Sequence, residues 1–99
     1  SQQLKAFYLN LKANEIYQND AEDEILVQGI IDLYYITNND ELVLVDYKTD
    51  YVENNNEQSL EDKYNIQLEI YKKALEESLN RKVDKVYIYS TWLNKEIEI

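Results

Sequence analysis

Cysteine, histidine, proline and methionine are absent from the sequence, and glycine occurs once. Without cysteine the chain can form no disulfide within itself, no zinc–thiolate or iron–sulfur site and no thiolate nucleophile. Without histidine it lacks the commonest general base and metal ligand. Any chemistry therefore falls to Asp, Glu, Lys, Tyr, Ser and Thr. The missing proline and scarce glycine leave no flexible linker in view, so residues 1–99 are expected to form a single domain. No apolar run approaches the roughly 20 residues that span a bilayer, and no signal-peptide pattern opens the chain. The expectation is a soluble, cytoplasmic protein with no membrane partner.

Basic residues are scarce as well: 10 Lys and Arg stand against 20 Asp and Glu, for a net charge of −10. Such a surface repels nucleic acid and anionic membranes at long range, which counts against a free-standing nucleic-acid binder. It leaves room for a cation site in an acidic cleft, because a bound cation inverts the local sign. A chain of this size buries only roughly 60–65% of its unfolded surface. Its ten Tyr, one Trp and one Phe are therefore expected to supply much of the core.

Along the chain, residues 4–11 read as a strand and 18–24 as an acidic loop. Residues 25–36 (ILVQGIIDLYYI) read as one long strand, TNND at 37–40 as a turn, and 41–48 (ELVLVDYK) as the returning strand of a hairpin. Ser59 with Asp62 resembles a capping box. From there to about Leu79, the residues Tyr64, Leu68, Tyr71, Leu75 and Leu79 fall three or four apart and form one helical stripe. Asn80 fits a left-handed cap, with Arg81 and Lys82 beyond it. Residues 84–92 read as a strand, and EIEI at 96–99 as a last short one. The order β, ββ, α, β(β) indicates an α/β or α+β fold: a mixed sheet with a central hairpin and one long helix.

The hairpin concentrates the unusual charges. Leu42, Leu44, Asp46 and Lys48 share one strand face, and Val43, Val45 and Tyr47 the other. With a three-residue loop at 38–40, Thr37 pairs with Glu41 and Asp32 falls opposite Asp46. An even loop without a bulge would separate the two carboxylates onto opposite faces. Two carboxylates so close need a proton, a cation or a metal, and Mg2+ takes such oxygen ligands. Lys48 could orient or deprotonate a water, or steady a phosphate. Read structurally, the same residues would form an Asp32–Lys48 or Asp46–Lys48 ion pair. On the helix, Gln67 and Tyr71 share a face. They are either a flanking Gln and a core Tyr, or groups reaching toward the end of the hairpin.

VQGIIDLYY, LVLVDYKTD and YNIQLEIY together resemble the three nuclease motifs of the RecB-like branch of the PD-(D/E)XK superfamily. In this sequence they supply Gly29 with Asp32, then Asp46-Tyr47-Lys48, then Gln67 with Tyr71. The likeness covers roughly residues 5–99. It is nearest to the C-terminal nuclease domains of AddA-type helicase-nuclease subunits. The resemblance implies a restriction-endonuclease-like fold and an Mg2+- or Mn2+-dependent DNA exonuclease. That module would serve an ATP-dependent helicase-nuclease in double-strand-break repair and recombination, beside an AddB-type partner subunit. It implies that Asp32, Asp46 and the Tyr47 carbonyl hold the metal, that Lys48 activates water, and that Gln67 and Tyr71 support DNA and the site. The family's site usually draws a further ligand, His or acidic, from a helix before GxxD. The lead-in here is strand-like, so the chain is expected to be a fragment lacking its first core helix. Where members often carry a basic residue after the DYKTD stretch, this chain has Tyr51. Two other classes remain: a non-catalytic interaction or scaffold domain on a degenerate nuclease fold, and an acidic DNA mimic, which would leave the motifs unexplained.

Overall fold

A computed structural model describes residues 5–15, 22 and 24–99. Along them run β1 (Lys5–Lys12), β2 (Glu24–Ile31), β3 (Leu33–Ile36), β4 (Leu42–Lys48), α1 (Glu57–Leu79), β5 (Lys85–Ser90) and β6 (Lys95–Glu98). Short 3-10 turns lie at Ala13–Glu15 and Glu53–Asn55. β1 and β2 form an antiparallel ribbon, while β3, β4, β5 and β6 form a four-stranded sheet in that order. Within the sheet only β4 and β5 are parallel. Parallel neighbours need a crossover connection, and α1 provides it. This is the expected mixed α/β architecture with a central hairpin and one long helix. Most of the acidic loop expected at 18–24 lies outside the described residues. Among the described residues no helix is long and apolar enough to cross a membrane.

The run at 25–36 is two strands, not the one expected. The chain leaves the ribbon and enters the sheet at Asp32, which belongs to neither ladder. Its side chain explains the break: Asp32 Oδ2 accepts the Tyr47 N–H at 3.1 Å. In an uninterrupted antiparallel ladder a backbone carbonyl of the facing strand would take that hydrogen. With a carboxylate in its place, β2 is free to turn away and pair with β1.

The hairpin between β3 and β4 has the odd loop that the site requires. The Thr37 N–H donates to the Glu41 carbonyl at 2.9 Å, and the Asp40 N–H to the Thr37 carbonyl at 2.9 Å. Asp40 closes the turn at φ 61°, the left-handed residue a three-residue hairpin loop uses. The register runs from Ile36 opposite Leu42 to Leu33 opposite Val45. One further step sets Asp32 across from Asp46. Asp84 fixes β5 against β4: its carboxylate accepts the Leu42 N–H at 2.7 Å, and its own N–H donates to the Leu42 carbonyl at 2.8 Å.

α1 starts earlier than the capping box predicts. Asn56 is the N-cap, and the Ser59 hydroxyl donates to the Asn56 carbonyl at 2.7 Å. Asp62 accepts from Gln58 at 3.0 Å instead of closing a box. The turn at Glu53–Asn55 already winds the chain, and Glu57 and Gln58 are good helix formers, so the helix begins there. Its end is as expected, with Asn80 at φ 52°, ψ 45° and its N–H on the Glu76 carbonyl. Arg81 Nη2 then donates to the Asp40 carbonyl at 2.7 Å, tying the helix end to the hairpin loop.

Leu42 and Leu44 face α1 and pack with Ile31, Tyr34, Ala74 and Leu75. Val52, Leu60, Leu68, Ile88 and Ile97 form a second cluster. Val43 and Val45, on the far face of β4, are also buried; their cross-strand neighbours include Tyr35 and Tyr87. Among the described residues the buried core is mostly aliphatic, with Tyr34 its one buried aromatic and Tyr64 and Tyr71 packed against it. The described core is less aromatic than expected because a buried tyrosine must satisfy its hydroxyl, whereas Ile, Leu and Val carry no such demand; Phe7, Tyr8 and Tyr17 lie outside the described side chains.

Candidate active site

β4 turns polar at its C-terminal end, where Asp46 and Lys48 continue the helix-facing row begun by Leu42 and Leu44. Asp46 is 2% exposed. The Lys48 ammonium lies 2.7 Å from Asp46 Oδ2 and donates to Gln67 Oε1 at 2.8 Å. It also sits 4.2 Å from the centroid of the Tyr64 ring. A carboxylate, an amide oxygen and an aromatic face therefore surround the Lys48 ammonium, whose side chain is 14% exposed. Tyr64, Gln67 and Tyr71 share a helix face because they are three and four residues apart.

Asp46 sits where burial opposes its charge. Its carboxyl is pushed up from 3.8 to about 6, first by burial and next by its hydrogen bond with the Asp32 carboxyl; Lys48 opposes both. Among the described residues the one close partner of its buried Oδ2 is the Lys48 ammonium, 2.7 Å away. The Tyr71 hydroxyl is also pushed up, by burial first and then by the Asp46 charge, so Tyr71 stands in the field of the same carboxylate.

The five residues singled out from the sequence thus converge: Asp32, Asp46, Lys48, Gln67 and Tyr71. The ion pair considered as their bland alternative, Asp46 with Lys48, is present within the same cluster. Among the described residues no group of three or more Asp, Glu, His or Cys side chains is placed to hold a metal. The donor set is two facing carboxylates, one with a buried oxygen whose one close partner among the described residues is the Lys48 ammonium. Mg2+ commonly takes such a set, completing its shell with water and substrate phosphate. Softer metals would find no thiolate or imidazole here. The residues fit a hard divalent cation. The Tyr47 backbone adjoins them through its N–H bond to Asp32, while its ring points to the far face, 5.6 Å from the Tyr89 ring.

Sequence reading missed two members. Tyr64 looked like one more residue of the apolar stripe, yet its ring face holds the Lys48 ammonium. Asp50, in the connection after β4, accepts from the Tyr64 hydroxyl at 2.8 and 2.9 Å and from Lys63 at 2.7 Å. Its carboxyl is held below the usual value by Lys63 first and Tyr64 second. The available signal was the shared helix face of Tyr64, Gln67 and Tyr71.

Comparison with known proteins gives the family of the chain. Residues 2–96 match the family described as the PD-(D/E)XK nuclease superfamily. The chain is 42% identical over 87 residues to an ATP-dependent helicase/nuclease subunit of Thermoanaerobacter pseudethanolicus, covering 84% of this chain and 7% of that protein. It is 37% identical over 98 residues to the Clostridium novyi protein of the same name, covering 94% of this chain and 8% of that one. With the Clostridium botulinum protein of that name it shares 46% over 82 residues, 83% of this chain and 6% of the other. The chain spans less than a tenth of the length of these relatives.

Proposed function

We propose, from the premise that the chain belongs to the PD-(D/E)XK nuclease superfamily, that it is the hydrolytic module of a DNA exonuclease. The meeting of Asp32, Asp46 and Lys48 at the end of β4 carries this reading. The module is a single, partial nuclease domain of an AddA-type, ATP-dependent helicase-nuclease. It works on DNA beside an AddB-type partner subunit, in the cytoplasm, in double-strand-break repair and recombination.

Asp32, Asp46 and the Tyr47 carbonyl are the groups that would hold Mg2+ or Mn2+. Bound there, the ion supplies a polarised phosphoryl oxygen and a more acidic water. Lys48 lies beside Asp46 and presents its ammonium where a phosphate oxygen or an attacking water would arrive. The Gln67 amide and the Tyr64 ring fix where that ammonium points, so it needs little rearrangement on binding. Tyr71, one turn from Gln67, adds a hydroxyl to the same wall. A second reading, a scaffold domain on a degenerate nuclease fold, has one observation in its favour: Lys48 already neutralises Asp46, as a purely structural pair would.

DNA cleavage by the intact helicase-nuclease separates the two. Lys48→Ala is expected to slow cleavage roughly 10²- to 10⁴-fold, the range for losing a positioned proton-transfer group. Asp46→Ala should cost at least as much. Undiminished cleavage in both variants would sink the nuclease reading and leave the scaffold.

A further inference from the structure

Two aromatic side chains stand in solvent beside the site, and nothing in the core claims them. Tyr51 is 66% exposed and Trp92 is 56% exposed. Their rings meet edge to face, with centroids 4.7 Å apart and planes at 83°. An edge-to-face contact hides little of either ring, so open aromatic surface remains on both.

Their place in the fold follows from the parallel strands. β4 and β5 end together, with Lys48 paired to Ser90. Tyr51 follows just after Lys48, and Trp92 just after Ser90. The Thr91 N–H donates to the Lys48 carbonyl at 3.0 Å, so the turn that carries Trp92 hangs on the backbone of the site lysine. That turn is braced by the Leu93 N–H on Ser90 Oγ at 3.0 Å and by the Tyr89 hydroxyl on Asn94 Oδ1 at 2.6 Å. On the other side, Lys63 and Tyr64 pin Asp50, the residue before Tyr51. Tyr51 lies within about 10 Å of Lys48 even along a fully extended chain. In open α/β sheets, ligands bind beyond the carboxyl ends of the strands, which is where both rings stand.

We infer that Tyr51 and Trp92 form a base-stacking subsite for the nucleotide next to the bond cut at Asp32, Asp46 and Lys48. This rests on the proposed nuclease function and deepens it. Two rings at nearly a right angle make a corner: a base stacked on one ring turns its edge onto the face of the other. Stacking accepts any base but needs a free π-face, which a base inside a duplex does not offer. It also suits a chain of net charge −10, which cannot gather phosphates by charge but can hold a base through its aromatic surface.

Trp92 is the only tryptophan, so its fluorescence reads this corner directly. The 99-residue chain, its fold first verified by a cooperative urea melt, is titrated with an oligothymidylate in EDTA at about 0.15 M NaCl, which screens the repulsion between the two anionic partners. Saturable quenching is expected, and little or none from a blunt duplex or an abasic strand of the same length. Tyr51→Leu should weaken binding by at least about fivefold, and Tyr51→Phe should restore it, since the ring and not the hydroxyl acts. In cleavage by the intact protein, Tyr51→Leu should raise KM and leave kcat nearly unchanged. Equal quenching by abasic or duplex DNA, absent quenching, or unaltered affinity in Tyr51→Leu would overturn the subsite. Cleavage that depends on Asp46 without quenching removes the subsite alone. Quenching that persists where Asp46→Ala cleaves normally supports the subsite and removes the nuclease reading alone.

Discussion

Two lysine–aspartate pairs lie side by side at the end of β4, and each places nitrogen 2.7 Å from oxygen: Lys48 with Asp46, and Lys63 with Asp50. In the first pair the side chains are 14% and 3% exposed; in the second, 63% and 20%. The consequences are opposite. The Asp46 carboxyl is pushed up to about 6, because burial and the Asp32 carboxyl outweigh the lysine. The Asp50 carboxyl is held down, because Lys63 and Tyr64 donate to it and outweigh burial. Distance alone does not decide what an ion pair does; solvent and the third group do. The buried pair leaves the Asp46 charge only partly compensated. The exposed pair only steadies the connection that carries Tyr51.

Removing the lysine from each pair tests the contrast most strongly. In Lys48→Ala without metal, near neutral pH, Asp46 stays buried with Asp32 and loses its compensating charge. Breaking a buried pair typically costs about 3–5 kcal/mol. Asp46 can limit the loss by taking up a proton, so about 2–3 kcal/mol is expected from urea denaturation. Lys63→Ala should move the midpoint far less. Similar shifts in the two variants would erase the distinction between the pairs.

The pH dependence of the metal-free protein has a sign set by Asp46. A carboxyl raised in the folded state binds its proton more tightly there than in the unfolded chain. Its contribution is greatest below the ordinary value of 3.8 and is lost as pH rises through about 6. Between about pH 5 and 7 this amounts to roughly 1 kcal/mol of lost stability. Asp50, with its lowered carboxyl, works the other way: its contribution holds above the ordinary value and disappears as pH falls through the lowered one. Urea melts across this range should show stability falling toward neutrality, and Asp46→Asn should flatten the slope. A slope unchanged in that variant would assign it to other groups.

Much of this contrast was written in the sequence, but not all of it. Strand alternation placed Asp46 and Lys48 on one face, and the odd loop at 38–40 predicted that Asp32 would meet Asp46. Both are local rules, and the hairpin obeys them. The break of the 25–36 run at Asp32 was hidden, because β-branched residues on both sides gave one continuous strand signal. Only the side-chain bond from Asp32 to the Tyr47 N–H ends the ladder there. Ser59 looked like a cap because the following residues are periodic, but the turn at Glu53–Asn55 had already started the helix. Tyr64 was legible as helical and apolar. Its second use, as a face for Lys48 and a donor to Asp50, depends on how α1 docks across β4, which spacing does not fix.

Salt gives the finest test, because it acts on the two pairs unequally. Ions screen exposed charges within a Debye length of roughly 10 Å at about 0.1 M, and far less well where the protein excludes water. Exposed pairs contribute little even at low salt. The small midpoint shift of Lys63→Ala should therefore vanish in about 0.5 M NaCl, while that of Lys48→Ala persists nearly unchanged. Because Lys63 and Tyr64 pin Asp50, Lys63→Ala should also loosen Tyr51 against Trp92 and alter the Trp92 emission of the free protein. If Lys63→Ala leaves that emission untouched while Tyr64→Phe changes it, the tyrosine hydroxyl alone steadies the connection, and the exposed pair has no part in shaping the corner.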